Sequence, residues 1–218
     1  MIMKEITVRK IAGGMPSVEE VSKLMDAASV DFNPIDVVNW ADFPYCPDVK
    51  FRVAHTGEAI LVNYRVSEAS VRAIAPADQG RVWEDSCCEF FVRAEDEDEY
   101  YNFECNCAGT LLVNFGKKGD RHHAPESVLA NVKRWSSLGR EPFEERIGEC
   151  SWELSLVIPA TSLFNHDIKD LSGITLRGNF YKCGDLLQTP HFLSWSPIDL
   201  PQPCFHCPEF FGRLVFEK

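Results

Sequence analysis

The stretch "SCCEFFVR", Ser86–Arg93, is followed by the acidic run "AEDEDE" at 94–99 and then by "YYNFECNC", Tyr100–Cys107. Each flank carries apolar or cysteine side chains at every second position: Cys88, Phe90 and Val92 in the first, Tyr101, Phe103, Cys105 and Cys107 in the second. A period of two puts these on one face of a sheet and leaves Glu89, Phe91, Arg93, Asn102, Glu104 and Asn106 on the other. An acidic run between two such segments is a solvated turn joining antiparallel strands, and its charge discourages pairing at the sheet edge. A wet loop accounts for it better than a calcium loop.

The same period recurs along the chain. In "AILVNYRV", Ile60, Val62, Tyr64 and Val66 share a face, with Asn63 and Arg65 opposite; "SWELSLVIP" aligns Trp152, Leu154, Leu156 and Ile158. Further strands are expected at "TLLVNF", near 128–135, at "ITLRGNFYKC" and at "GRLVFE", with "APADQG" and "GKKGDRHHAPES" as loops. One helix breaks the pattern: Val21, Leu24, Met25 and Ala28 recur at helical spacing behind Ser17 and Glu20, which form an S-x-x-E capping box. The expectation is an all-β antiparallel sandwich, jelly-roll or immunoglobulin-like, with one short N-terminal helix and a single domain over 1–218.

Composition bounds the function. A hydrophobic fraction of 45% supports a sizeable core, and a net charge of −11 repels nucleic-acid phosphates and anionic membranes. There is no apolar run long enough to span a bilayer and no signal-peptide pattern in "MIMKEITVRKIAGG", so the chain as written is expected in the cytoplasm, or in the periplasm or outside the cell if a signal is missing from it. Its nine cysteines are then expected to be reduced and mostly buried.

The polar faces suggest the site. "ITLRGNFYKC" gives Ile174, Leu176 and Phe180 to the core and Thr175, Arg177, Asn179 and Tyr181 to the other side, so three strands offer carboxylate, amide or guanidinium groups on one surface. Trp83 precedes the first of these strands and Trp195, in "HFLSWSP", follows the last. Sugars suit such a surface, because hydroxyls pair with Asn, Glu and Arg while the C–H faces of a pyranose lie against an indole. His191, four residues before Trp195, is placed either to bond a ligand or to serve the fold.

The strings "VWEDSCCEFFV", "YYNFECNCAGTLL", "LRGNFYKCGD", "HFLSWSPI" and "FHCPEFFGRLVF" resemble the family-9 carbohydrate-binding modules in their compact single-domain bacterial form, over roughly residues 50–218. The resemblance implies a β-sandwich, non-catalytic binding of sugars or glycan chain ends, and in some members structural calcium. It also implies that Trp83 and Trp195 sandwich the sugar, that Glu89 and Asn106 meet its hydroxyls, and that Arg72 is a further site candidate.

Alternatives stand beside this reading. Glu89 and Glu104 form a carboxylate pair of the kind a glycoside hydrolase uses; an interaction domain that has lost sugar binding is the third class. Asp78, Glu84, Asp85 and Asp185 are the oxygen donors available for calcium, without EF-hand spacing. Cys204 and Cys207 around His206 give half a zinc site with no second half, and the family form has no cysteines there.

Overall fold

The computed structural model describes residues 3–218. β1 (Glu5–Lys10) precedes α1 (Val21–Ala27), and the short β2 (Asn33–Pro34) and β3 (Val37–Val38) lead into the hairpin of β4 (Asp48–His55) and β5 (Ala59–Ala73). A meander follows: β6 (Cys87–Ala94), β7 (Tyr100–Asn106), β8 (Leu111–Lys117) and β9 (Asp120–His123). After α2 (Glu126–Asn131) come β10 (Lys133–Ser136), the long β11 (Phe143–Pro159), β12 (Thr175–Cys183), β13 (Phe192–Ser194) and β14 (Gly212–Phe216).

The strands build two sheets, ordered β10-β11-β5-β4 and β14-β12-β6-β7-β8-β9. β1 joins them: Glu5–Val8 lie in register with Arg213–Phe216 of β14, while Arg9 and Lys10 pass to Ala54 and His55 of β4. Both pairings are parallel, a departure from the antiparallel expectation. No tight turn links β1 to either partner, so nothing imposes the antiparallel direction that a hairpin requires. With only Val8 of β1 buried, its sequence carries little alternation to read.

The inner faces carry the expected side chains. Phe90, Phe180 and Phe51 stack in a column across the sandwich, with ring centroids 4.7 Å apart for Phe90–Phe180 and 3.7 Å for Phe51–Phe180. Ile60, Val62, Tyr64, Trp152, Leu154, Leu156 and Ile158 close the same core from the other sheet. Each such buried side chain is worth roughly 1.5–3 kcal/mol relative to exposure.

Three local expectations change. The capping box does not form: Val18–Glu20 is a 3-10 turn, α1 starts at Val21, and the Ser17 hydroxyl donates to Glu19 instead of accepting from a backbone N–H. Val21 and Met25 still pack the helix onto Ala54, Leu61 and Val157, the outer face of the β4/β5/β11 sheet. Residues 128–135 divide between α2 and β10, because Val128, Leu129 and Val132 suit one face of a helical turn as well as a strand. The loop expected at 116–127 contains β9 and the start of α2.

Candidate functional site

The outer face of β6, β7 and β12 carries a groove enclosing about 370 Å³. Its floor holds Glu89 and Glu104, directly opposite each other in the β6/β7 register, so their side chains emerge side by side. Trp83, on the 3-10 turn Val82–Glu84 just before β6, contributes an indole, and Phe192, Phe205 and His206 complete the aromatic lining. Asn114, Arg121, Cys183 and Asp185 supply polar groups around it.

The C-terminal stretch "CFHCPEFFG" is held firmly. Phe205 stacks on Tyr181 with centroids 4.2 Å apart and an interplanar angle of 8°, and the His206 ring bonds the Tyr100 hydroxyl at 2.8 Å. Burial, with Arg121 and Lys118 nearby, depresses the His206 pKa to about 4, so the ring is neutral at pH 7. Cys207 is buried behind this segment, Cys204 faces the groove, and among the described residues no third ligand joins the two in a metal-binding cluster; Pro208–Phe210 make a 3-10 turn into β14.

Electrostatics set the floor apart. Burial, then the neighbouring Cys183 and Glu104, pushes the Glu89 carboxyl well above the ordinary carboxylate range. Burial raises Glu104 to about 7, although Asn102 donates to it at 2.8 Å and Arg121 opposes the shift. Asp185 is raised to about 6, first by burial and then by Glu84. Arg121 lies over the Tyr100 ring at 3.9 Å and donates to the Tyr100 carbonyl and the Asn102 side chain, which positions Asn102 against Glu104.

Of the site residues expected from sequence, the structure brings Trp83 and Glu89 together here. Trp195 is a correction: it is 3% exposed, edge-on to Phe51 and Phe180 in the inter-sheet core, and it does not line the groove that Trp83 lines. Gly212 makes room for it, since a Cβ there would come within 2.5 Å of the indole. Asn106 is also a correction, because its amide donates to Asp85 and its carbonyl accepts from the backbone N–H of Ala108 and Thr110, tying the β7–β8 turn. Asn179 likewise exchanges bonds with the Ser196 backbone.

Arg177 lies four residues before Tyr181 on β12, 3.6 Å from Glu95 and outside the groove. Arg72 supports the rim from behind, 3.3 Å from Asp85 and donating to the Leu186 carbonyl at 2.8 Å. His191 is fully buried on the other side of the sheet, bonded to Lys182 at 2.8 Å. Reading the sequence missed Phe192, Phe205, His206 and Arg121 as lining residues.

The residues offered for calcium do not fit that ion. Asp78 is bonded by Arg134 and the Leu111 N–H, Asp85 by the N–H groups of Ile74 and Ala75, and Glu84 by Arg81. Their oxygens are thus committed to protein donors in different places, and only Asp185 faces the groove.

Fold and groove together define a β-sandwich that presents a ligand site on the outer face of one sheet. Residues 19–216 match the model of carbohydrate-binding family 9, and the chain belongs to that family, the match starting well before residue 50. It is 59% identical to a crystallised protein of Bacteroides uniformis ATCC 8492 to which carbohydrate binding has been ascribed, covering 99% of this chain and 100% of that one with a TM-score of 0.97. A family-9 module from Caldicellulosiruptor kristjanssonii shares the fold at 10% identity: its glucose complex has a TM-score of 0.61 over 98% of this chain and 96% of that one. Its cellotriose complex has a TM-score of 0.62 over 98% and 94%. Among curated proteins there is no significant match. Among the described residues, no helix is long and apolar enough to cross a membrane.

Proposed function

We propose that the chain binds a carbohydrate, non-catalytically, in the groove floored by Glu89 and Glu104. The observation that carries this reading is a pair of acceptor-rich carboxyls at the base of an aromatic-lined groove, in a member of a carbohydrate-binding family. Sugar hydroxyls would exchange hydrogen bonds with the two carboxyls while the C–H face of a ring lies on Trp83 or Phe205. A volume of about 370 Å³ is at the small end for ligand sites and suits a short saccharide or a chain end.

Two half-stacked aromatic faces remove ~60–100 Å² of apolar sugar surface each, together worth roughly 3–5 kcal/mol before the cost of association. The expected dissociation constant is therefore weak, on the order of 10 μM to mM. Hydrolysis fits the same groups less well. It needs two carboxyls flanking a glycosidic bond, whereas cross-strand neighbours rise from one floor and meet the same side of a ring. Calorimetric titration across a panel of mono- and oligosaccharides should give binding that Trp83→Ala and Glu104→Gln weaken; no binding across the panel, or binding untouched by both variants, overturns the reading. Turnover of a chromogenic glycoside that Glu89→Gln abolishes would replace it with the hydrolytic one.

A further inference from the structure

Two thiols lie at the groove floor, Cys183 lining it and Cys87 buried beside it, and sugar binding gives them no task. Cys87 and Cys183 are direct partners in the β6/β12 register, and both emerge on the groove face beside Glu89, one pleat further along β6. The Cys183 sulfur is 3.1 Å from Glu89 Oε1, and one ligand atom from each of Cys87, Glu89 and Cys183 lies within 4.8 Å of the other two. All three residues are buried. A tetrahedral zinc ion with bonds of about 2.3 Å to sulfur and about 2.0 Å to oxygen spaces its ligands roughly 3.5–3.8 Å apart, so the trio needs only small side-chain adjustments to meet around one ion.

Charge points the same way. Among the described residues, none of Glu89, Glu104 and Asp185 forms an ion pair with a lysine, arginine or histidine. Buried carboxylates without a cation are costly unless they are protonated or bind a metal. Arg121, the guanidinium lining the groove, is directed at Asn102 and at the Tyr100 carbonyl. Sulfur donors select against calcium and magnesium and for zinc-like cations, and three protein ligands leave a fourth position facing the groove.

We propose that Cys87, Cys183 and Glu89 form a site for a thiophilic divalent cation of the zinc class, with its open position directed into the groove. Binding releases the two thiol protons, and that of Glu89 if it is protonated, to solvent, with no change of oxidation state. The assignment stands on the three side chains and is independent of the sugar reading.

The test uses the full chain, reduced, stripped with a chelator and then loaded with zinc or cadmium. About one ion per chain should remain bound after gel filtration, and cadmium should produce a thiolate-to-metal charge-transfer band. The X-ray absorption fine structure of the zinc form should show two sulfur ligands at about 2.3 Å and lighter ligands at about 2.0 Å. Cys87→Ser and Cys183→Ser should each weaken binding by more than about tenfold and diminish the band, Glu89→Gln should weaken binding while keeping the band, and Cys46→Ser and Cys150→Ser should change neither. A folded wild-type chain that retains no stoichiometric zinc or cadmium overturns the proposal, as does a bound zinc with no sulfur ligand or a band that persists unchanged in Cys183→Ser. The wild-type measurements decide the matter even if a variant fails to fold.

Discussion

Two clusters of buried carboxylate lie on opposite faces of β12, reached from consecutive residues. On the inner face Lys182 meets Glu68 at 2.8 Å, and Glu68 accepts from the Trp152 indole at 2.7 Å. His191 completes the cluster: its Nε2 accepts from Lys182 and its Nδ1 donates to the Thr189 carbonyl, with burial first and Lys182 second depressing its pKa to about 3. Burial opposes the charge of Lys182, yet Glu68 and the neighbouring thiols turn the net shift upward. On the outer face Cys183 leads to Glu89 and Glu104, which have no cation. A compensated charge inside a protein serves the fold, whereas an uncompensated pair beside a groove leaves its acceptors for a ligand.

The largest effect should come from breaking the compensated side. Lys182→Met leaves Glu68 buried and unpaired and should cost about 3–5 kcal/mol in urea unfolding, with most of it recovered when Glu68→Gln is added. The two indoles sharpen the contrast next. Trp195→Ala should cost about 3–5 kcal/mol by opening a core cavity, while Trp83→Ala should cost under about 1 kcal/mol and reduce sugar binding, which calorimetry and denaturant titration separate.

A smaller effect is expected from the groove carboxyls. Glu104→Gln should leave the urea midpoint at pH 7 unchanged or higher, because a buried carboxyl without a cation gains nothing from ionising, and should weaken saccharide affinity by more than about tenfold, or roughly 1.4 kcal/mol. The last concerns pH. A histidine held near 4 in the fold contributes stability that is present above its unfolded value of about 6.5 and is lost as pH falls toward 4. Allowing for its partial exposure, this amounts to on the order of 1–2 kcal/mol, and His206→Gln should flatten that part of the stability-pH curve.

Much of this was legible in the residues. Alternation through "SCCEFFVR" and "YYNFECNC" specified both the hairpin and the outward direction of Glu89 and Glu104, because a one-residue slip would bury the charges and expose Phe90 and Phe103. Asn106 illustrates the limit. Its position faces outward as the alternation predicts, but a short amide beside the turn "CAGT" bonds backbone N–H groups in preference to a ligand. Trp83 and Trp195 carry the same chemistry, one on the 3-10 turn before β6 and the other just past the end of β13. Only the pairing of β13 with β12, and the absence of a side chain at Gly212, sends one into the core.

The sequence by itself determined the strand periodicity, the helix that lies on the outer sheet and the carboxylates that face away from the core, because these depend on local spacing and on which side chains tolerate burial. It also carried the motifs of carbohydrate-binding family 9. Tertiary structure decided the rest. Phe205 and His206 reach the groove only because Phe205 stacks on Tyr181 and His206 bonds Tyr100, more than a hundred residues earlier. Cys87 meets Cys183 across a pairing of two distant strands. Contacts of that separation are set by the packing of the whole sandwich, which no local pattern encodes.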